Sequence, residues 1–181
     1  MPFAYYVTEG YKPPMPLLNL TMMQLMKLDI LPGWGVDTHF HKRAKADGKF
    51  CGGLEEVAYQ LRLISSLSDG VEDEFVRYSL ADFHQTGTQF LEIVRAWKAA
   101  DTRRLDQLIH SQLGVQFTPI YQRLIVDRNR AWIRKIEDLL QTPEVELVLV
   151  GTGHLVGRES VLSLLKEKGC AVRFLEAADK D

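Results

Sequence analysis

The sequence has few of the features that mark specialised classes of protein. Its 181 residues include only two cysteines, Cys51 and Cys170, so neither a disulfide framework nor a Cys-x-x-Cys pair is present. No apolar run approaches the roughly 20 residues of a membrane-spanning helix. Lysine and arginine total 22 against 24 aspartates and glutamates, and this balance gives no indication of a nucleic-acid partner. A chain that is 46% apolar and 25% charged is typical of one globular domain, which we place at residues 1–181.

The N-terminal residues also lack the pattern of a secretory signal. No charged segment followed by an apolar stretch occurs there. As written, the chain is therefore expected to be cytoplasmic, with two reduced thiols.

Helical patterns dominate the first two thirds of the chain. Three early prolines predict an irregular segment over residues 1–18. Asn19 is predicted to cap a helix that ends before Pro32, and Asp37 a shorter helix that ends near Gly48, followed by a brief strand at 49–51. Apolar residues at helical spacing predict further helices over about 54–64, 71–84, 87–99 and 102–112.

The helix that follows Thr118 carries an unusual charge. Projected at about 100° per residue, one stripe holds the apolar residues Tyr121, Ile125, Trp132, Ile136 and Leu139. Arg128 falls in the middle of this stripe and Asn129 at its edge. Either Arg128 extends its charge to water or to a structural carboxylate, or its guanidinium lines a site and grips a ligand carboxylate.

The last quarter of the chain predicts a β-loop-α-β unit. Residues 145–150 form a nearly continuous apolar run, a glycine-rich loop follows at 151–157, and a helix that ends at Gly169 leads to a second strand at 171–175. The predicted fold class is therefore a helix-rich α/β fold, with this unit on a small, mainly parallel sheet and a helical middle region. Because few other strands are predicted, part of the sheet is expected to come from outside this chain.

The loop between Gly151 and Gly157 is the best candidate for a site. Ligands bind beyond the carboxyl ends of strands in open α/β sheets, and His154 would lie at such a strand tip. A dinucleotide-binding loop is one alternative, but G-x-G-x-x-G would place its last glycine one residue earlier. A purely structural loop is the other.

The remaining histidines are weaker candidates. Asp37, His39 and His41 match the D-x-H-x-H metal motif of amidohydrolase barrels, but in a helix the two imidazoles diverge and cannot share a metal. His84 and His110 have no partner at i+4 and are predicted to be surface or boundary residues.

Several segments together resemble the TraB/GumN/TIKI family over nearly the whole chain. They are Gly35-Val-Asp37, Gly53-Leu-Glu55, Asp127-Arg128-Asn129-Arg130 and Gly151-Thr-Gly-His154-Leu-Val-Gly157. That family is thought to be related in fold to erythromycin esterase and the haem-binding ChaN proteins. It is expected to carry two G-x-x-H motifs, of which only the second is found here. The chain thus resembles the C-terminal portion of a family domain.

The resemblance implies a metal-dependent hydrolase or peptidase, inactive alone without the first motif. It implies that His154 and Glu55 bind a divalent metal, Mn²⁺ or Zn²⁺, and act in catalysis with Arg128 and Asn129, Asp37 supporting them. Gly151, Thr152 and Gly153 would contact the bound group, which is not a nucleotide. Family members are often exported or membrane-anchored. The alternative function is a non-catalytic module that binds a ligand or partner on the same scaffold.

The predicted partial sheet and the apolar face of Met22, Met23 and Met26 generate a prediction about assembly. We expect a homodimer, or a complex with a complementary N-terminal fragment, because open sheet edges and apolar patches are normally covered. Light scattering at micromolar concentration measures the mass. A monodisperse 20.7 kDa monomer that binds no apolar dye would contradict this expectation.

Overall fold

The computed structural model describes residues 11–31, 33–81 and 83–175, with the backbone alone at 111–116. The chain forms two compact units, Met1–Ala100 and Asp101–Asp181.

The first unit is a set of helices around α1. Its helices are α1 Pro14–Met26, α2 Val36–Ala46, α3 Val57–Ser65, α4 Glu72–Ala81 and α5 Thr86–Lys98, with a 3₁₀ turn at Phe83–Gln85. Helix α1 packs against α3 and α5. The buried residues of these three helices are Pro14, Leu25, Leu63 and Ala96.

The early part of this unit departs from the sequence predictions. The predicted irregular segment is wrong beyond residue 13, and its residues 1–10 lie outside the described part of the chain. Helix α1 begins at Pro14 and not after Asn19, because a proline in the first helical turn lacks only an N–H that the helix would not use. Gly35 precedes α2, so Asp37 lies in the first turn rather than at the cap. Residues 49–51 form no strand.

Helix α2 also settles the arrangement of its two histidines. His39 and His41 are exposed on this helix. Side chains two positions apart on a helix point in different directions. The two imidazoles therefore do not form the paired arrangement of the D-x-H-x-H motif.

The second unit is built on one long helical rod. Helix α7 Thr118–Tyr121, a π-helical stretch at Gln122–Val126 and helix α8 Asp127–Leu139 follow one another without a break. Around this rod lie α6 Thr102–Gln116, a 3₁₀ turn at Thr152–His154 and α9 Val161–Glu167. Helix α8 packs against α9, and α6 packs against the 3₁₀ turn. The buried apolar residues of this unit are Leu105, Ile120, Ile125, Val126, Trp132, Ile133, Ile136, Val156, Val161 and Leu165.

The predicted parallel sheet is wrong. Within residues 11–31, 33–81 and 83–175 no segment forms a strand. Segments 145–150 and 171–175 have no regular secondary structure, and Val145 is fully exposed. Apolar content predicts burial, but a strand also needs a neighbouring strand to pair its N–H and C=O groups. The helix of the predicted unit is present as α9, and Gly169 follows its end with a φ of +85°.

Two further observations concern the expectations about membrane spans and about assembly. The described part of the chain contains no helix both long and apolar enough to cross a bilayer. Met23 and Met26 of α1 are each 46% exposed. The proposed assembly through this face stays a prediction.

The absence of a sheet can be tested by matched truncations. Ile133 on α8 is 4% exposed, whereas Leu147 in the predicted strand is 66% exposed. We expect Ile133→Ala to lower the free energy of unfolding by roughly 2–5 kcal/mol and Leu147→Ala to change it by less than about 0.5 kcal/mol. Urea denaturation measures both. A Leu147→Ala variant as unstable as Ile133→Ala would show that segment 145–150 is buried after all.

Candidate functional site

The π-helical stretch sets which residues of the long rod face inward. The backbone N–H of Asp127 donates to the carbonyl of Gln122, five residues earlier. Because a π turn holds more residues than an α turn, a projection at a constant angle loses register after it. Asn129, which the projection put at the edge of the stripe, is fully buried, while Arg128 is only half-buried. The buried polar centre of the rod is therefore Asn129.

Asn129 joins the rod to the turn that carries His154. Its Nδ2 donates to the carbonyl of Glu159 at 2.7 Å, and its Oδ1 lies 2.6 Å from His154 Nδ1. Because the Asn129 Nδ2 group donates to the Glu159 carbonyl, Oδ1 must accept a hydrogen bond from the imidazole. The proton of His154 is therefore assigned to Nδ1. A neutral His154 then carries its lone pair on Nε2.

Arg128 lies on the Nε2 side of the same imidazole. Its Nη1 is 3.3 Å from His154 Nε2 and donates to the carbonyl of Leu124 at 3.2 Å. The guanidinium carbon lies 4.8 Å from the centre of the Trp132 ring, and that ring centre is 4.5 Å from the imidazole centre. The structure thus brings together Arg128, Asn129, Trp132 and His154, which we call the His154 cluster. Three of its four members are predicted site residues.

The glycines of the turn make room for helix α6. The backbone N–H of His154 donates to the carbonyl of Gly151 at 2.9 Å, which closes the turn around Thr152. A Cβ atom on Gly153 would lie 3.1 Å from Ile109 Cγ2. Close packing on α6 is therefore sufficient reason for a glycine at 153. Ligand contact by Gly151, Thr152 and Gly153 stays a prediction.

Helix α6 also carries a pair of residues that the sequence analysis missed. His110 is buried, and its Nδ1 lies 2.8 Å from Asp106 Oδ1, so its prediction as an unpartnered surface or boundary residue is wrong. The signal was present in the sequence, since the acid precedes the histidine by one helical turn. The Tyr121 ring lies 5.3 Å from the His110 ring. Burial, assisted by the charges of Asp106 and Glu159, raises the pKa of Tyr121 above its ordinary value, so its phenol stays protonated at neutral pH.

Glu55 and Asp37 belong to the first unit. Glu55 is half-buried and accepts a hydrogen bond from Gln60 Nε2 at 2.9 Å, and Asp37 is exposed on α2. Participation of either carboxylate with His154 therefore stays a prediction.

The described residues do not fit a metal centre. In the ranges 11–31, 33–81 and 83–175, outside the side chains of 111–116, no group of three or more His, Cys, Asp or Glu side chains could hold a metal ion. The imidazole nitrogen that would bind a metal faces the cationic Arg128 at 3.3 Å. One nitrogen beside a positive charge falls short of the ligand sets of Zn²⁺ or Mn²⁺.

The geometry defines a helical protein whose Gly-x-x-His turn docks on an Arg-Asn pair. The model of the TraB/PrgY/gumN family matches residues 2–173 of 181. The chain belongs to this family, and the resemblance is confirmed. No curated protein and no solved structure shows significant similarity to the chain.

The central position of Asn129 predicts a stability difference between neighbouring residues. Asn129→Ala removes the hydrogen bonds to His154 Nδ1 and to the Glu159 carbonyl, and we expect a loss of roughly 2–4 kcal/mol. Arg130→Ala removes only an exposed ion pair to Glu159, at a cost below about 1 kcal/mol. Urea denaturation of both variants tests this. Equal stabilities would contradict the central role of Asn129.

Proposed function

We propose that the His154 cluster is a hydrolytic site for peptide-like or ester substrates. The observation that carries the proposal is the Asn129–His154 hydrogen bond of 2.6 Å. It leaves the acceptor nitrogen of the imidazole on the side of a guanidinium. A proton acceptor next to a permanent positive charge is the arrangement that hydrolysis by activated water needs.

His154 supplies the proton acceptor. In the proposed reaction, a water molecule attacks the substrate carbonyl while its proton passes to Nε2. Asn129 Oδ1 holds the ring through Nδ1–H during this transfer. When the tetrahedral species collapses, the proton on Nε2 passes to the leaving amine or alkoxide, which restores the neutral imidazole.

Arg128 supplies the positive charge for the carbonyl oxygen. Its guanidinium stacks at 4.8 Å on the buried Trp132 ring. An apolar neighbour lowers the local dielectric and strengthens the attraction for a developing oxyanion. For water to reach Nε2, the guanidinium must swing away from that nitrogen toward the substrate oxygen.

The metal that the family resemblance implies enters no step of this proposal. Within the part of the chain that the structure describes, the residues around His154 do not form a metal centre. Binding of Mn²⁺ or Zn²⁺ by His154 and Glu55 stays a separate proposal, and it requires further ligands.

A binding module is the second candidate, and one observation favours it. Arg128 Nη1 contacts the Nε2 that catalysis would use. In a binding module this contact would persist, and the Arg128 guanidinium would bind a carboxylate of the ligand or partner. Such a module would bind carboxylate peptides without hydrolysing them.

Hydrolysis by variants of the full chain separates the two functions. We expect low turnover of unblocked peptides and aryl esters, because the chain contains a single G-x-x-H motif. This turnover should fall at least tenfold in His154→Ala and in Arg128→Gln, since either change removes a group that acts on the reacting atoms. Arg130→Gln and His84→Ala are the matched controls and should leave it unchanged.

Two results would count against hydrolysis at this site. Turnover that survives His154→Ala would place the chemistry elsewhere. If no turnover is measurable and titration shows that Arg128→Gln abolishes binding of a peptide with a free carboxylate, but not of its amide, the binding module is correct.

A further inference from the structure

The Asp106–His110 pair lies behind the turn that carries His154. The two residues are one helical turn apart on α6, with Nδ1 and Oδ1 separated by 2.8 Å. His110 is 7% exposed. Asp106 keeps 45% of its side chain exposed and, together with Gly157 and Ser160, lines an open cavity of about 320 Å³.

The far nitrogen of His110 is unusual because it is buried without a partner. Among the described residues, His110 Nε2 has no hydrogen-bond partner. A buried polar atom without a partner is unfavourable, and a native structure that retains one needs an explanation. The contact of Asp106 with Nδ1 fixes the ring orientation that places Nε2 there.

Both edges of the His110 ring lie against glycines of the 151–157 turn. A Cβ on Gly153 would lie 3.5 Å from His110 Nε2. A Cβ on Gly157, whose φ is +83°, would collide with the Asp106 carboxylate and lie 3.0 Å from His110 Nδ1. The pair therefore contacts the turn at two points, on either side of His154.

We infer that Asp106 and His110 are a positioning pair that fixes the 151–157 turn and, through it, the orientation of His154. The turn is then held from two directions. Helix α6 supports its backbone through the pair, and helix α8 holds the imidazole through Asn129. The inference goes beyond the proposed function, since it holds whether the His154 cluster catalyses or only binds.

A positioning role differs from simple space filling in what it requires of the side chain. Phenylalanine at 110 would fill the volume but could not be oriented by Asp106. Its wider ring edge would meet Gly153, where the imidazole nitrogen now lies. The turn would then shift, and His154 would lose its fixed alignment with Asn129.

The ring nitrogens of His154 report this alignment directly. In the full chain labelled with ¹⁵N-histidine, long-range ¹H–¹⁵N spectra assigned with His154→Gln should show a protonated Nδ1 and an unprotonated Nε2. We expect His110→Phe and Asp106→Ala, which removes the oxygen that accepts from His110 Nδ1, to move these two signals toward averaged tautomer values. His84→Phe, at an exposed histidine of the first unit, should leave them unchanged.

Folded variants with unchanged His154 signals would overturn the inference. Thermal unfolding followed by circular dichroism identifies which variants are folded. If His110→Phe does not fold, Asp106→Ala decides, because the Asp106 side chain is 45% exposed and its truncation should be tolerated. Gly153→Ala gives a second decision, since its added Cβ presses on Ile109 and on the His110 edge and should produce the same averaging.

Discussion

The second unit depends on one side-chain hydrogen bond, between Asn129 and His154. Asn129 is fully buried, and its amide serves Glu159 on one side and the imidazole on the other. Through these two hydrogen bonds Asn129 fixes three things: the position of the turn on helix α8, the end of the loop just before α9, and the protonated nitrogen of His154. Arg128 and Trp132 belong to the same cluster because each lies within one helical turn of Asn129 on α8. The polar contacts of the site thus depend on which side chains occupy one face of α8.

The π-helical stretch determines which side chains of α8 point into the core. Without the wider turn at Gln122–Val126, the residues of α8 would be rotated about the axis, and Arg128 would occupy the inward direction now held by Asn129. π turns cost some hydrogen-bond quality and recur at functional sites. Here the turn moves a charge to a half-buried position and places a neutral amide in the core, where an unpaired charge would be far less favourable.

Much of the candidate site was predictable from the sequence, whereas the absence of a sheet from the described residues was not. Helical periodicity located most helices, and Gly151–Gly157 with the Asp127–Arg130 segment indicated both the site and the family. The apolar run at 145–150 predicted a strand because burial and strand pairing usually go together, yet pairing needs a partner that sequence periodicity does not identify. The projection also could not locate the π turn, so Asn129 was put at the edge. The role of Glu55 came from family resemblance alone, and it stays a prediction.

The contact between Gly153 and helix α6 has a consequence for how the sequence can change. A methyl group at 153 would lie 3.1 Å from Ile109 Cγ2, so an alanine there is compatible only with a smaller or displaced side chain at 109. Substitutions at the two positions should accordingly be non-additive, each harmful alone and less so together. The side chains allowed at positions 109 and 153 are thus coupled, although the two positions are 44 residues apart in the sequence. Substitutions that alter this site are therefore expected to occur at both positions together.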